Sequence, residues 1–171
     1  MKDYSLCILG LGNEILKDDA VGILLVRELE KELEVPEGFK IDFLEASLAG
    51  FNLLDILVGY DGVFIIDSIV TGKEAPGTVM ELDLDSLKST LRLTSVHDIN
   101  LATALKLGED LGMKMPSFIK IYVLEVLEIF EFGEELSEPV KEAFPLAVVR
   151  LKAAIEGLFS GGLVDARVSF D

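Results

Sequence analysis

Three residues carry the chemistry that this sequence offers most clearly: a carboxylate from the Asp18-Asp19 pair, the carboxylate of Asp67, and the imidazole of His97, the single histidine of the chain. Each follows a distinctive stretch. Gly10-Leu11-Gly12-Asn13 runs into Asp18-Asp19 just past the apolar run Leu6-Cys7-Ile8-Leu9. Asp67 comes directly after Val63-Phe64-Ile65-Ile66, and His97 stands in Ser95-Val96-His97-Asp98. Carboxylate oxygens with one imidazole nitrogen suit zinc, nickel, iron or manganese. Three protein ligands leave positions open for water or a substrate group.

Each residue also has a plainer role. Asp18 and Asp19 precede a helical pattern, where carboxylates cap free N–H groups. Only one can occupy the cap, which leaves the other to face outward. Asp67 is harder to explain structurally, because an unpaired charge at the mouth of a buried strand is costly. It needs a cation, an imidazole or backbone donors. His97 at a helix start would be kept neutral by the positive end of the helix dipole, as a metal ligand requires. The spacing from Asp19 to His97 matches no compact metal motif, and neither HExxH, CxxC nor GxSxG occurs. Ser68 and Thr71 are too ordinary to assign as nucleophiles. Cys7 lies among apolar neighbours, so it reads as a small core residue.

These groups need a scaffold that brings them together. Leu6–Leu9 reads as a buried strand stopped by Gly10 and Gly12, and Ala20 to about Leu33 as a helix with apolar residues at helical spacing. Lys40–Leu44 reads as a second strand, Leu53–Val58 as a short helix, and Val63–Ile66 as a central parallel strand, apolar on both faces. Val79–Leu84 is a fourth strand whose short connection allows an antiparallel course. Ser95 and Asp98 have capping-box spacing for a helix from about His97 to Leu111, ended by Gly112. Phe118–Leu124 is a fifth strand, and Glu138–Phe159 a final helix interrupted near Pro145. The expected fold is therefore α/β: a single-domain, twisted, mostly parallel five-stranded sheet with helices on both faces. The domain is expected over residues 1–160, with a loose tail at 161–171. Ligands of such sheets bind beyond the carboxyl ends of the strands. That rule puts Gly10–Asp19, Asp67–Thr71 and Ser95–Asp98 on one rim.

The composition narrows the function. Against 31 acidic residues stand only 15 basic ones, a net charge of −16, which disfavours nucleic acid and anionic membranes. Glu28, Glu30, Glu32 and Glu34 read as a solvated helix face. No apolar run reaches the ~18 residues of a membrane span, and no signal peptide is recognisable. The expectation is a cytoplasmic monomer. A dinucleotide fingerprint would require glycine where this chain has Ile15, and no phosphate-binding GxxxxGK[ST] occurs, so a nucleotide-binding domain is the weakest reading. Gly10 and Gly12 instead permit a tight turn and a close backbone approach.

Gly10-Leu11-Gly12-Asn13-Glu14-Ile15-Leu16-Lys17-Asp18-Asp19-Ala20-Val21-Gly22 resembles the opening of the hydrogenase maturation endopeptidases. Further matches follow in order: Leu48-Ala49-Gly50, Ile65-Ile66-Asp67-Ser68-Ile69-Val70, Ala75-Pro76-Gly77-Thr78 and Ser95-Val96-His97-Asp98. The similarity spans residues 6 to about 126, with Ala20 where many members have glycine. It implies that Asp19, Asp67 and His97 bind a metal, leaving Asp18 as the helix cap. It implies an endopeptidase, grouped with the aspartic-type enzymes, that removes a C-terminal extension from a [NiFe] hydrogenase large-subunit precursor after nickel insertion. The nickel would be held by the precursor, and a surrogate divalent cation could occupy the same ligands. The Leu48–Phe51 loop and Ile69–Gly72 would then face the substrate. The alternative is a non-proteolytic, nickel-binding or metal-checking module on the same fold.

Overall fold

Strands that are apolar on both faces require cover on both, and the chain supplies it. The computed structural model describes residues 3–47, 53–83 and 105–159. Strands β1 (Tyr4–Leu11), β2 (Phe39–Ala46), β3 (Gly62–Ile69), β4 (Val79–Leu82) and β5 (Phe118–Glu125) form one sheet in the order β2-β1-β3-β5-β4. β1 pairs in parallel with β2 and β3, β3 in parallel with β5, and only β4 runs antiparallel, against β5. β3 lies at the centre and is buried along its whole length.

Strand parity divides the core into two layers. Leu6, Ile8, Phe64, Ile66, Tyr122 and Leu124 pack beneath helices α1 (Val21–Glu32) and α3 (Glu138–Phe159). Cys7, Leu9, Val63, Ile65, Ile121 and Val123 face the other way, towards α2 (Leu53–Leu57) and Leu105 in the helical segment 105–110. That segment ends as expected at Gly112, whose φ is 67°. The Gly112 N–H donates to the Glu109 carbonyl and the Met113 N–H to the Gly108 carbonyl, the double closure of a left-handed glycine cap.

Glycines let α1 start hard against the strands. A Cβ at Gly10 would lie 2.5 Å from the Gly22 carbonyl oxygen, and one at Gly22 would lie 2.3 Å from that of Leu11 and 2.5 Å from that of Ile66. The close approach inferred from Gly10 and Gly12 is thus real, and Gly22 is its counterpart on the helix.

One element departs from expectation: α3 runs unbroken through Pro145. Pro145 sits on the exposed side of the helix, where the carbonyl that loses its partner can be solvated. Val140 before it and Ala147, Val148, Leu151 and Ile155 after it are all buried, which holds both halves on one axis. Packing outweighs the ~3 kcal/mol propensity penalty of an internal proline. Among the described residues no helix is long and apolar enough to cross a membrane.

Candidate active site

The parallel strands β1, β3 and β5 all leave the sheet at the same rim, and the polar residues gather there. β1 and β3 pair as far as Gly10 opposite Ile66, so Asp67 is the first residue of β3 beyond that ladder. The chain leaving β1 returns through a single 3-10 turn, Asp18–Ala20, before α1 begins. Asp18, Asp19, Asp67, Ser68 and Glu125 are the buried polar side chains among the described residues, and all belong to this rim.

Ser68 joins the carboxylates of Asp19 and Asp67. Its backbone N–H donates to Asp67 Oδ1 (2.8 Å) and its hydroxyl donates to Asp19 Oδ1 (3.0 Å). Asp19 is 4% exposed and Asp67 2%. A burial this deep requires partners for the charge, and one residue provides a donor to each. Two carboxylates from separate segments are thereby held in fixed positions relative to one another. Such a pair can ligate a cation or accept a proton, and its oxygen donors suit a first-row divalent ion completed by an imidazole.

Asp18 has another task. It does not cap α1: neither the 3-10 turn nor α1 has a side-chain cap hydrogen bond. Asp18 Oδ1 instead accepts from the Ser137 N–H (2.7 Å), and Oδ2 accepts from the Ser137 hydroxyl (2.7 Å) and the Leu127 N–H (3.2 Å). The carboxylate binds the segment between β5 and α3 to the loop after β1. The tertiary fold brings donors of a distant segment to Asp18, and three bonds to a buried carboxylate outweigh one cap at a helix that begins beside it.

Glu125 supports the other flank. Its Oε1 accepts from the N–H groups of Thr71 and Gly72 (2.8 Å each) and its Oε2 from the Thr71 hydroxyl (2.7 Å). The loop that leaves β3 just past Asp67 is thus tied to the end of β5. Neither Ser68 nor Glu125 was predicted as a site residue. A polar residue ending an apolar strand run, Glu125 after Tyr122-Val123-Leu124, is the same signal that singled out Asp67. Ser68 carries no such signal, because a serine next to an aspartate is common.

His97, with the whole Ser95–Asp98 segment, lies outside the described residues, as do residues 48–51 of the expected substrate-facing loop and the tail from residue 160. Of the expected Ile69–Gly72 face, Ile69 is buried while Val70, Thr71 and Gly72 are exposed at the rim. Cys7 is fully buried, and burial, reinforced by the charge of Asp42, pushes its thiol up to about 12. It is a core residue and no nucleophile.

Comparison with known proteins places this geometry in context. A family model described as hydrogenase maturation protease matches residues 23–154, a span that holds Asp67 and His97 and begins after Asp19. The hydrogenase 2 maturation protease of Escherichia coli is 34% identical over 99 residues, which cover 57% of this chain and 59% of that relative. The solved structure of the hydrogenase maturating endopeptidase HybD from E. coli superposes with a TM-score of 0.75 at 28% identity, covering 94% of each chain. The [NiFe] hydrogenase maturation protease HybD from Thermococcus kodakarensis does so with a TM-score of 0.64 at 29% identity, covering 90% of this chain and 99% of that one.

Proposed function

The chain belongs to the hydrogenase maturation protease family, and on that premise we propose that it is the endopeptidase that removes the C-terminal extension of a [NiFe] hydrogenase large-subunit precursor after nickel has been inserted. The supporting observation is the pairing of Asp19 and Asp67 through Ser68 at the carboxyl rim of the sheet. In this reading His97 completes the ligand set, and nickel arrives as part of the substrate. The metal would supply Lewis acidity beside the scissile carbonyl. Asp19, Asp67 and His97 hold the precursor's metal-bearing segment in register, and one of the two carboxylates accepts a proton from the attacking water. The near-complete burial of Asp19 and Asp67 limits bulk solvent around them and strengthens their charge interactions. The residue that takes the proton is an aspartate, in keeping with the aspartic-type grouping. The reaction is assigned to the cytoplasm and the enzyme to a monomer.

The test incubates purified protein with nickel-loaded and nickel-free precursor and follows loss of the tail by mass spectrometry. Tail loss is expected only with nickel, and it should vanish in His97→Ala and Asp67→Asn. Cleavage of nickel-free precursor at an equal rate would remove the metal check from the proposal. Binding of loaded precursor by the wild type with its tail left intact would establish a metal-checking module instead.

A further inference from the structure

The loop between β5 and α3 presents apolar side chains that the fold itself does not use. Phe130 and Phe132 are 79% and 75% exposed, the highest values for any large apolar side chain among the described residues. Ile15 at 59% and Leu127 at 51% belong to the same two segments. Leu16 forms an isolated antiparallel bridge with Phe132, which sets their side chains opposite one another. Flanking it, the Lys17 N–H donates to the Glu131 carbonyl (3.0 Å) and the Gly133 N–H to that of Ile15 (3.1 Å). The Lys17 ammonium pairs with the Glu131 carboxylate (2.5 Å). Asp18 then binds Leu127 and Ser137, the two ends of the loop. The aromatic residues are therefore held out to solvent by a cross-braced scaffold.

Two features indicate the occupant. The braced segment leads directly into the turn that holds Asp18 and Asp19, and Asp18 ties the loop to that turn. Its surroundings keep a net negative charge: Glu128, Glu131, Glu134 and Glu135 are interspersed with the apolar residues, against Lys17, which pairs with Glu131, and Lys141, which pairs with Glu135. A rigid apolar shelf in an acidic frame fits an apolar segment flanked by basic residues. We infer that the shelf formed by Ile15, Leu16, Leu127, Phe130 and Phe132 docks such a segment of the large-subunit precursor and holds the substrate while its tail reaches the carboxylates. The inference rests on the precursor-cleavage reading given above.

The experiment compares wild type with Phe130→Ser/Phe132→Ser in steady-state cleavage of nickel-loaded precursor. Both side chains are exposed, so circular dichroism and the urea midpoint should match those of the wild type. Exposed aromatics at the centre of a docking surface carry much of its affinity, so KM should rise at least about tenfold while kcat stays within about twofold. Raising the salt concentration should raise the wild-type KM through screening of the acidic frame. An unchanged KM overturns the docking role and leaves the proposed cleavage intact. A wild type that binds precursor without cleaving it overturns the cleavage, and the docking role is then read from the two dissociation constants, equal values overturning it. Failure of the wild type to bind overturns both. If sedimentation shows a dimer that the double substitution dissolves with KM unchanged, the shelf joins two copies of this chain and the inference fails.

Discussion

At the scale of single residues, adjacent aspartates with the same apparent prospects have separate fates. Asp18 receives three donors from the segment between β5 and α3, whereas Asp19 receives the hydroxyl of Ser68. Sequence alone could not divide those roles, since both precede a helix and either could cap it. The resemblance to the maturation endopeptidases selected Asp19 as the ligand, and the geometry accounts for Asp18 separately. Ser68→Ala tests the arrangement at Asp19, because the backbone bond from residue 68 to Asp67 survives the change. Loss of a hydrogen bond to a buried charged group costs roughly 1.5–3 kcal/mol. Stability in urea should therefore fall by about that amount. With Asp19 less firmly held, kcat for precursor cleavage should fall about tenfold with little change in KM. A drop in stability with kcat intact would reduce Ser68 to a structural residue.

At the scale of elements, most of the fold was readable, because burial on one or both faces leaves a period in the sequence. β3 lies at the centre, as its doubly apolar pattern requires, and β4 runs antiparallel after its short connection. The break expected in the last helix does not occur, because a local rule about proline yielded to packing along α3. The start of α1 shows the reverse, a local residue type serving a tertiary contact. Gly22→Ala gains about 1 kcal/mol of helix propensity, yet its Cβ would meet two backbone carbonyls that cannot turn aside. Overpacking of ~1–3 kcal/mol should prevail, so the urea midpoint should fall, and cleavage should weaken because Asp19 lies in the turn before α1. A midpoint at or above that of the wild type would mean that the helix shifts freely.

At the scale of the whole molecule, the sealed two-layer core ties stability to alkaline pH. Burial raises the Cys7 thiol from 9.0 to about 12 and the Tyr122 phenol from 10.0 to about 12, and Tyr60 also rises through burial and its bond to Asp42. Each group is neutral in the folded protein and ionises more readily in the unfolded chain. Their contribution is complete below the unfolded values and is lost as pH rises from about 9 towards 12. The urea midpoint should fall steadily over that window, and Cys7→Ala should flatten the lower part of the fall. A flat profile would refute the assignment. The sequence by itself determined the α/β class, the doubly covered central strand, the acidic surface and the family, since these depend on periodicity, composition and a contiguous motif. The tertiary structure alone decided that Ser68 links Asp19 to Asp67, that Asp18 braces the loop before α3, and that Phe130 and Phe132 stand exposed beside the rim. Those arrangements join segments far apart in the chain, and contacts between distant segments leave no local period or spacing from which they could be read.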